Sequence, residues 1–124
     1  MVLDTAAVLA YARGDLVVGE HLSWAADHYE VALIPATCLA AAYRDVPTGR
    51  VDLLDVLRGL EHVVVAPLPG ELCPVLGGWA RTLGLDAAHA AIEAAARPPT
   101  PILTDRGDLI RQILPKDWPI TDVD

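Results

Sequence analysis

The sequence predicts an α/β domain, a three-layer α/β/α sandwich around a central, mainly parallel sheet of four to five strands. Short apolar runs without polar alternation, such as "VALIP", "HVVVAPL" and "PILT", read as strands covered on both faces. Between them lie longer segments of helical periodicity. Strand and helix therefore alternate, which implies crossover connections, parallel pairing and helices on both faces of the sheet. At 124 residues and 53% hydrophobic composition, the chain is expected to form one domain over residues 1–124.

The elements follow in order. Val2 and Leu3 form a first strand, and "TAAVLAYAR" a helix of strong formers ending near Gly14. From Leu16 to Tyr29, Val18, Leu22, Ala25, Ala26 and Tyr29 recur at helical spacing opposite Glu20, Ser23 and Asp27, which predicts a second, amphipathic helix. "VALIP" is a buried strand stopped by Pro35, and "ATCLAAAYRDV" a helix punctuated by Pro47, Thr48 and Gly49. In "RVDLLDVLRGLE" the stripe Leu53, Val56, Leu57 and Leu60 predicts another helix. β-Branched "HVVVAPL" is the third strand. "PGELCPVLGGWARTLG" reads as a helix interrupted at Pro74 and Gly77-Gly78, and "LDAAHAAIEAAAR" as the clearest helix, ended by Pro98-Pro99. "PILT" gives a fourth strand, "DRGDLIRQIL" a short helix, and "WPITDV" a last strand or extended edge segment.

Composition narrows the function. A net charge of −8 argues against a generic nucleic-acid coat that works by neutralising phosphates. It leaves open a nuclease, in which bound divalent cations offset clustered carboxylates. Cys38 and Cys73 lie in apolar surroundings without metal-binding spacing, so both are expected to be buried free thiols in a reducing compartment. The start of the chain lacks a basic region and an apolar signal core, and no apolar run approaches the roughly 20 residues that span a bilayer. A cytoplasmic protein without a membrane partner is expected. Trp24, Trp79 and Trp118 form no basic–aromatic stripe of the kind that stacks bases, and are read as core or interface residues.

Three acids fall where this architecture gathers side chains at one sheet edge: Asp4 after the first strand, Asp86 opening the Ala-rich helix, and Asp105 after "PILT". Each also suits a helix N-terminus, where a carboxylate accepts from unpaired backbone N–H groups. Together they make a different case, because clustered carboxylates repel and a fold keeps them close mainly to hold hard cations through oxygen. Thr5 and Thr104 adjoin two of the acids and could orient them, with backbone capping as the rival role. Asp86, His89 and Glu93 share a helix face, so His89 could bond a site carboxylate or substrate, against the commoner role of a packed, hydrogen-bonded histidine.

In order, "VLDTAAVLAYARGD", "PATCLAAAYRDV", "LGLDAAHAAIEAAAR" and "PILTDRGDL" resemble the segments of a PIN domain, close to the VapC-type toxins of bacterial toxin–antitoxin pairs. The resemblance spans nearly the whole chain. It implies a compact α/β/α domain and a Mg²⁺- or Mn²⁺-dependent endoribonuclease site of three or four acids. It also implies RNA as substrate, a small cognate antitoxin as inhibitor, and a homodimer.

Carried over by position, Asp4, Asp86 and Asp105 match family acids as catalytic metal ligands, and Thr5 and Thr104 match hydroxyl positions that accompany them. Two departures matter. The family pattern after the fourth strand is Thr, any residue, then Asp, whereas Asp105 directly follows Thr104, so either a residue is missing or Arg106 takes the position. The family commonly has Leu-Ala-Glu-Ala-Tyr where this chain has Leu39-Ala40-Ala41-Ala42-Tyr43, so Ala41 replaces a Glu. Losing that carboxylate removes oxygen ligands and is expected to impair turnover. Asp45, one helical turn beyond Ala41, is the candidate substitute. The resemblance thus implies a ribonuclease of reduced activity, with a catalytically degenerate binding or regulatory module as the alternative. A haloacid-dehalogenase-type phosphatase fits worse, because that family expects a second Asp where Ala6 stands.

Overall fold

A computed structural model describes residues 1–97 and 99–123. It is a three-layer α/β/α fold with a five-stranded, all-parallel sheet in the order β3-β2-β1-β4-β5. The strands are β1 (Val2–Leu3), β2 (Ala32–Pro35), β3 (Val63–Ala66), β4 (Ile102–Thr104) and β5 (Ile120–Asp122). Every residue of β1, β2 and β4 is buried, as the unalternating apolar runs require. The edge strand β3 exposes Val64, and "WPITDV" supplies the other edge.

Seven α-helices are described: α1 (Thr5–Ala12), α2 (Leu16–Asp27), α3 (Ala36–Asp45), α4 (Val51–Gly59), α5 (Cys73–Leu83), α6 (Leu85–Ala95) and α7 (Gly107–Ile110). Among the described residues, no helix is long and apolar enough to cross a membrane. The chain builds β1, β2 and β3 outward in one direction, then returns to place β4 and β5 on the other side of β1. The strand order therefore reverses between β1 and β4. In open parallel sheets a crevice forms beyond the carboxyl ends of the strands at such a reversal. α6 packs against β1, β2 and β4, and α3 against both α1 and α6, so three helices and three strands converge there.

Several local expectations are corrected. α2 stops at Asp27, and Ala26 and Tyr29 are exposed; Tyr29 is 97% exposed with φ 55, a left-handed turn that takes it off the helical stripe. In α4 the buried pair is Leu54 and Leu57, while Val56 is exposed, because the sheet meets the helix about one position round from the anticipated stripe. α5 runs unbroken: Pro74 falls in its first turn, where no N–H partner is lost, and Gly77 and Gly78 lie on its open face. Cys73 is exposed and only Cys38 is buried; both are free. Trp24 is half-exposed and stacks on His28, whereas Trp79 and Trp118 pack against the core. α6 ends at Ala95, and Pro98, expected to stop it, lies outside the described residues.

Candidate acidic cleft

Asp4 is both a cap and a site residue. It directly follows β1, its Oδ1 accepts from the Ala7 amide at 3.2 Å, and it is the N-cap of α1. It is only 2% exposed. Burial pushes its carboxyl up to about 6, against the opposing pull of the Thr104 hydroxyl and the Ala7 amide, and the nearby Asp105 raises it further. Asp105 leaves β4 on the other side of the strand-order reversal and is about half-exposed.

Asp86 comes from α6. It does not cap the helix: the N-cap is Gly84, at φ +81, and Asp86 sits in the first turn, where the helix dipole favours a carboxylate. Its Oδ2 accepts from the Thr5 hydroxyl at 2.5 Å, and its Oδ1 from Arg106 Nη1 at 2.9 Å. Burial alone would raise its pKa, but Thr5 and Arg106 outweigh burial and hold it below the ordinary carboxylate value. Asp105 caps no helix either, since Arg106 takes the N-cap position of α7 without a side-chain cap bond.

Thr5 and Thr104 thus act as orienting hydroxyls. Thr5 ties α1 to Asp86, while Thr104 bonds Asp4 and accepts from the Arg106 amide at 2.9 Å. Beneath them, Cys38 donates to the Asp86 carbonyl at 3.1 Å, and burial, with the charges of Asp4 and Asp86 added, pushes its thiol far up. It is a structural thiol rather than a nucleophile.

A cleft of about 560 Å³ opens beside Asp86, lined by Thr37, Ala40, Ala41, Arg44, Leu85, Asp86 and Arg106; Asp4 and Asp105 are not among its lining residues. Ala41 faces it, so the Glu that the PIN-domain resemblance leads one to expect at this position would point into the same space. Asp45 does not replace it: both its oxygens pair with Arg44, at 2.7 and 2.8 Å, and it is absent from the lining.

His89 is fully buried and touches none of the three acids through a hydrogen bond. Its Nδ1 lies 2.9 Å from the Thr37 hydroxyl. Its Nε2 is 3.4 Å from Glu93 Oε1 but without hydrogen-bond alignment, and Glu93 in turn pairs with Arg97 at 3.0 Å. With the proton on Nε2, facing Glu93, Nδ1 accepts from Thr37 and the hydroxyl's lone pairs are left to the cleft. Sequence reasoning missed Thr37. Its signal was its position one helical turn before Ala41 on the same face.

Arg106 is the other residue whose role the sequence left open. Nη1 donates to Asp86 and to the Leu83 carbonyl, at 2.9 and 2.8 Å, and Nε lies 3.8 Å from Asp105 Oδ1. Asp86, Asp105 and Asp4 together raise its pKa against the effect of burial. Arg106 therefore bonds Asp86, lies near Asp105 and feels the charge of the more distant Asp4.

The donor set suits a hard divalent cation, because it consists of carboxylate and hydroxyl oxygens. The guanidinium shows where positive charge is favoured. Among the described residues, however, no three Asp, Glu, His or Cys side chains draw close enough to hold a metal between them. Comparisons with protein-family models, with characterised proteins and with solved structures found no match to this chain.

Proposed function

We propose that this chain is a PIN-like domain of the VapC type whose acidic cleft hydrolyses RNA phosphodiester bonds with the help of a divalent cation, at a rate reduced by the loss of one acid. The observation that carries this reading is convergence. Asp4 and Asp105 leave the two strands that flank the strand-order reversal, and both act with Asp86 of α6 on the charge of Arg106, while Asp86 itself lines the open cleft. Mutual repulsion of the acids is a cost that Arg106 offsets in part and that a bound cation would offset further.

Asp4, Asp86 and Asp105 would hold Mg²⁺ or Mn²⁺, which supplies an activated water and neutralises charge on the phosphate oxygens. The chain's own residues prepare that site. Thr5 and Thr104 fix the orientation of Asp86 and Asp4, and burial keeps Asp4 in a low-dielectric setting where a cation interacts strongly. Ala41 is the reason to expect a reduced rate. An acid there would have added oxygen ligands on the α3 side of the cleft, where Thr37 now offers only a neutral hydroxyl.

The partners implied are RNA in the cleft, a small cognate antitoxin and a second copy of the chain, in the cytoplasm. Exposed Leu16, Val17 and Trp24 on α2, with Tyr29 just beyond it, offer apolar surface for protein contacts. A second reading, a catalytically degenerate binding or regulatory module, is favoured by Arg106, which already neutralises the acids.

Incubation of single-stranded RNA with the protein and Mn²⁺, beside Asp86→Asn, tests the first reading. Slow cleavage that Asp86→Asn abolishes supports it. Equal cleavage by both proteins, or none by either, sends the assignment to the second reading.

A further inference from the structure

Thr37 deepens the RNA reading, on which its role here rests. It stands in the first turn of α3 and lines the cleft, yet its hydroxyl bonds not to its own helix but to Nδ1 of His89, 2.9 Å away on α6. His89 is wholly buried, and its other ring nitrogen faces the Glu93 carboxylate at 3.4 Å. Arg97 completes the row, 3.0 Å from Glu93. A carboxylate in that place favours the ring proton on Nε2, because a bare nitrogen there would set its lone pair against the carboxylate oxygen. Nδ1 is then an acceptor, and the only hydrogen of the Thr37 hydroxyl is committed to it. What Thr37 shows to the cleft is lone pairs alone. An ordinary threonine turns its hydroxyl to suit either a donor or an acceptor, whereas this one takes donors only.

Its neighbours narrow the choice of donor. Thr37, Ala40, Ala41 and Arg44 lie along one face of α3, and Arg106 borders the same cleft from the start of α7. Arg44 gives Nε and Nη2 to Asp45, and Arg106 gives Nη1 to Asp86 and to the Leu83 carbonyl. The remaining terminal nitrogen of each has no hydrogen-bond partner among the described residues. The cleft thus combines N–H donors suited to phosphate oxygens with one fixed acceptor. The ribose 2′-hydroxyl is a donor that lies beside the phosphates of an RNA backbone and is absent from DNA. We propose that Thr37, held as an acceptor by His89 and Glu93, receives the 2′-hydroxyl of a bound RNA and so selects ribose over deoxyribose. Phosphate contacts through the arginines do not distinguish the two sugars; the Thr37 oxygen does. Loss of one neutral hydrogen bond of this kind corresponds to about a three- to tenfold weaker affinity.

Fluorescence anisotropy at low salt, in the cold and with Mg²⁺ present, tests this with a short single-stranded RNA, the same sequence as DNA, and 2′-fluoro RNA, whose sugar carries no donor at that position. The unaltered chain is expected to bind RNA about three- to tenfold more tightly than either analogue. Thr37→Ser is expected to keep that preference and Thr37→Val to lose it, with thermal unfolding run beside each to confirm the fold. The comparison of RNA with 2′-fluoro RNA on the unaltered chain needs no variant, so it decides even if Thr37→Val folds poorly. NMR of the His89 ring nitrogens is the second readout and should show the proton on Nε2 and none on Nδ1. Equal binding of RNA and 2′-fluoro RNA, a preference that folded Thr37→Val keeps, or a proton on Nδ1 would overturn the role of Thr37 and leave the RNA reading standing. Binding of none of the three by the folded, unaltered chain would overturn both.

Discussion

In the native state the carboxyl of Asp4 titrates near 6, against an ordinary value of 3.8, because burial penalises its charged form. Between these two values the folded protein holds a proton that the unfolded chain has released, so stability falls as pH rises from about 4 to 6 and stays reduced above it. Asparagine keeps the cap, because its side-chain oxygen still accepts from the Ala7 amide. Asp4→Asn is therefore expected to stabilise the protein at pH 7.5 by up to about 3 kcal/mol, an upper bound from the size of the shift, and by much less at pH 4. Melting curves at the two pH values check this; equal effects would contradict the buried-charge account. Thr37→Val makes a second test at this scale. It strips Nδ1 of the fully buried His89 of its partner and should cost about 1–3 kcal/mol in urea unfolding, while Thr37→Ser, which keeps the hydroxyl, should cost much less.

Among the elements, α5 and α6 show how far glycine depends on context. Gly77 and Gly78 lie in α5 with open space where a side chain would stand, so each alanine substitution should add about 0.5–1 kcal/mol of helix stability. Gly84, which caps α6 at φ +81 against Arg106, should respond the opposite way, with Gly84→Ala losing about 1 kcal/mol or more. Chemical denaturation of the three single variants checks the signs. The strands and most helices were legible because apolar runs and 3.6-residue periodicity are local signals. The errors arose where tertiary context decides. The sequence cannot say which neighbour α4 meets, so it favoured Val56 over Leu54, and a Gly-Gly pair looks like a break until its helix is seen packed along one side.

At the scale of the whole molecule, one topological fact organises the site. The reversal of strand order between β1 and β4 brings Asp4 and Asp105 to adjacent strand ends, and the crossover through α6 adds Asp86. The three acids were visible in the sequence because each adjoins a predicted strand or helix end. The hydroxyls Thr5 and Thr104 were visible by adjacency. The side-chain pairs around them were not: the Arg106–Asp86 bond, the Thr37–His89 pair and the turning of Asp45 toward Arg44 join side chains whose direction periodicity does not set. The one-residue shortening in "LTDR" was the available signal for Arg106, and it left two alternatives open.

The central proposal is that this cleft is a nuclease site weakened by Ala41 and Arg106. Cleavage of single-stranded RNA in Mn²⁺ by the double variant Ala41→Glu/Arg106→Gln, with Asp4→Asn added as the control, tests it most directly. The account predicts cleavage at least tenfold faster than by the unaltered chain, lost when Asp4 is also changed. A folded double variant that cleaves no faster, or one whose cleavage survives Asp4→Asn, would contradict it.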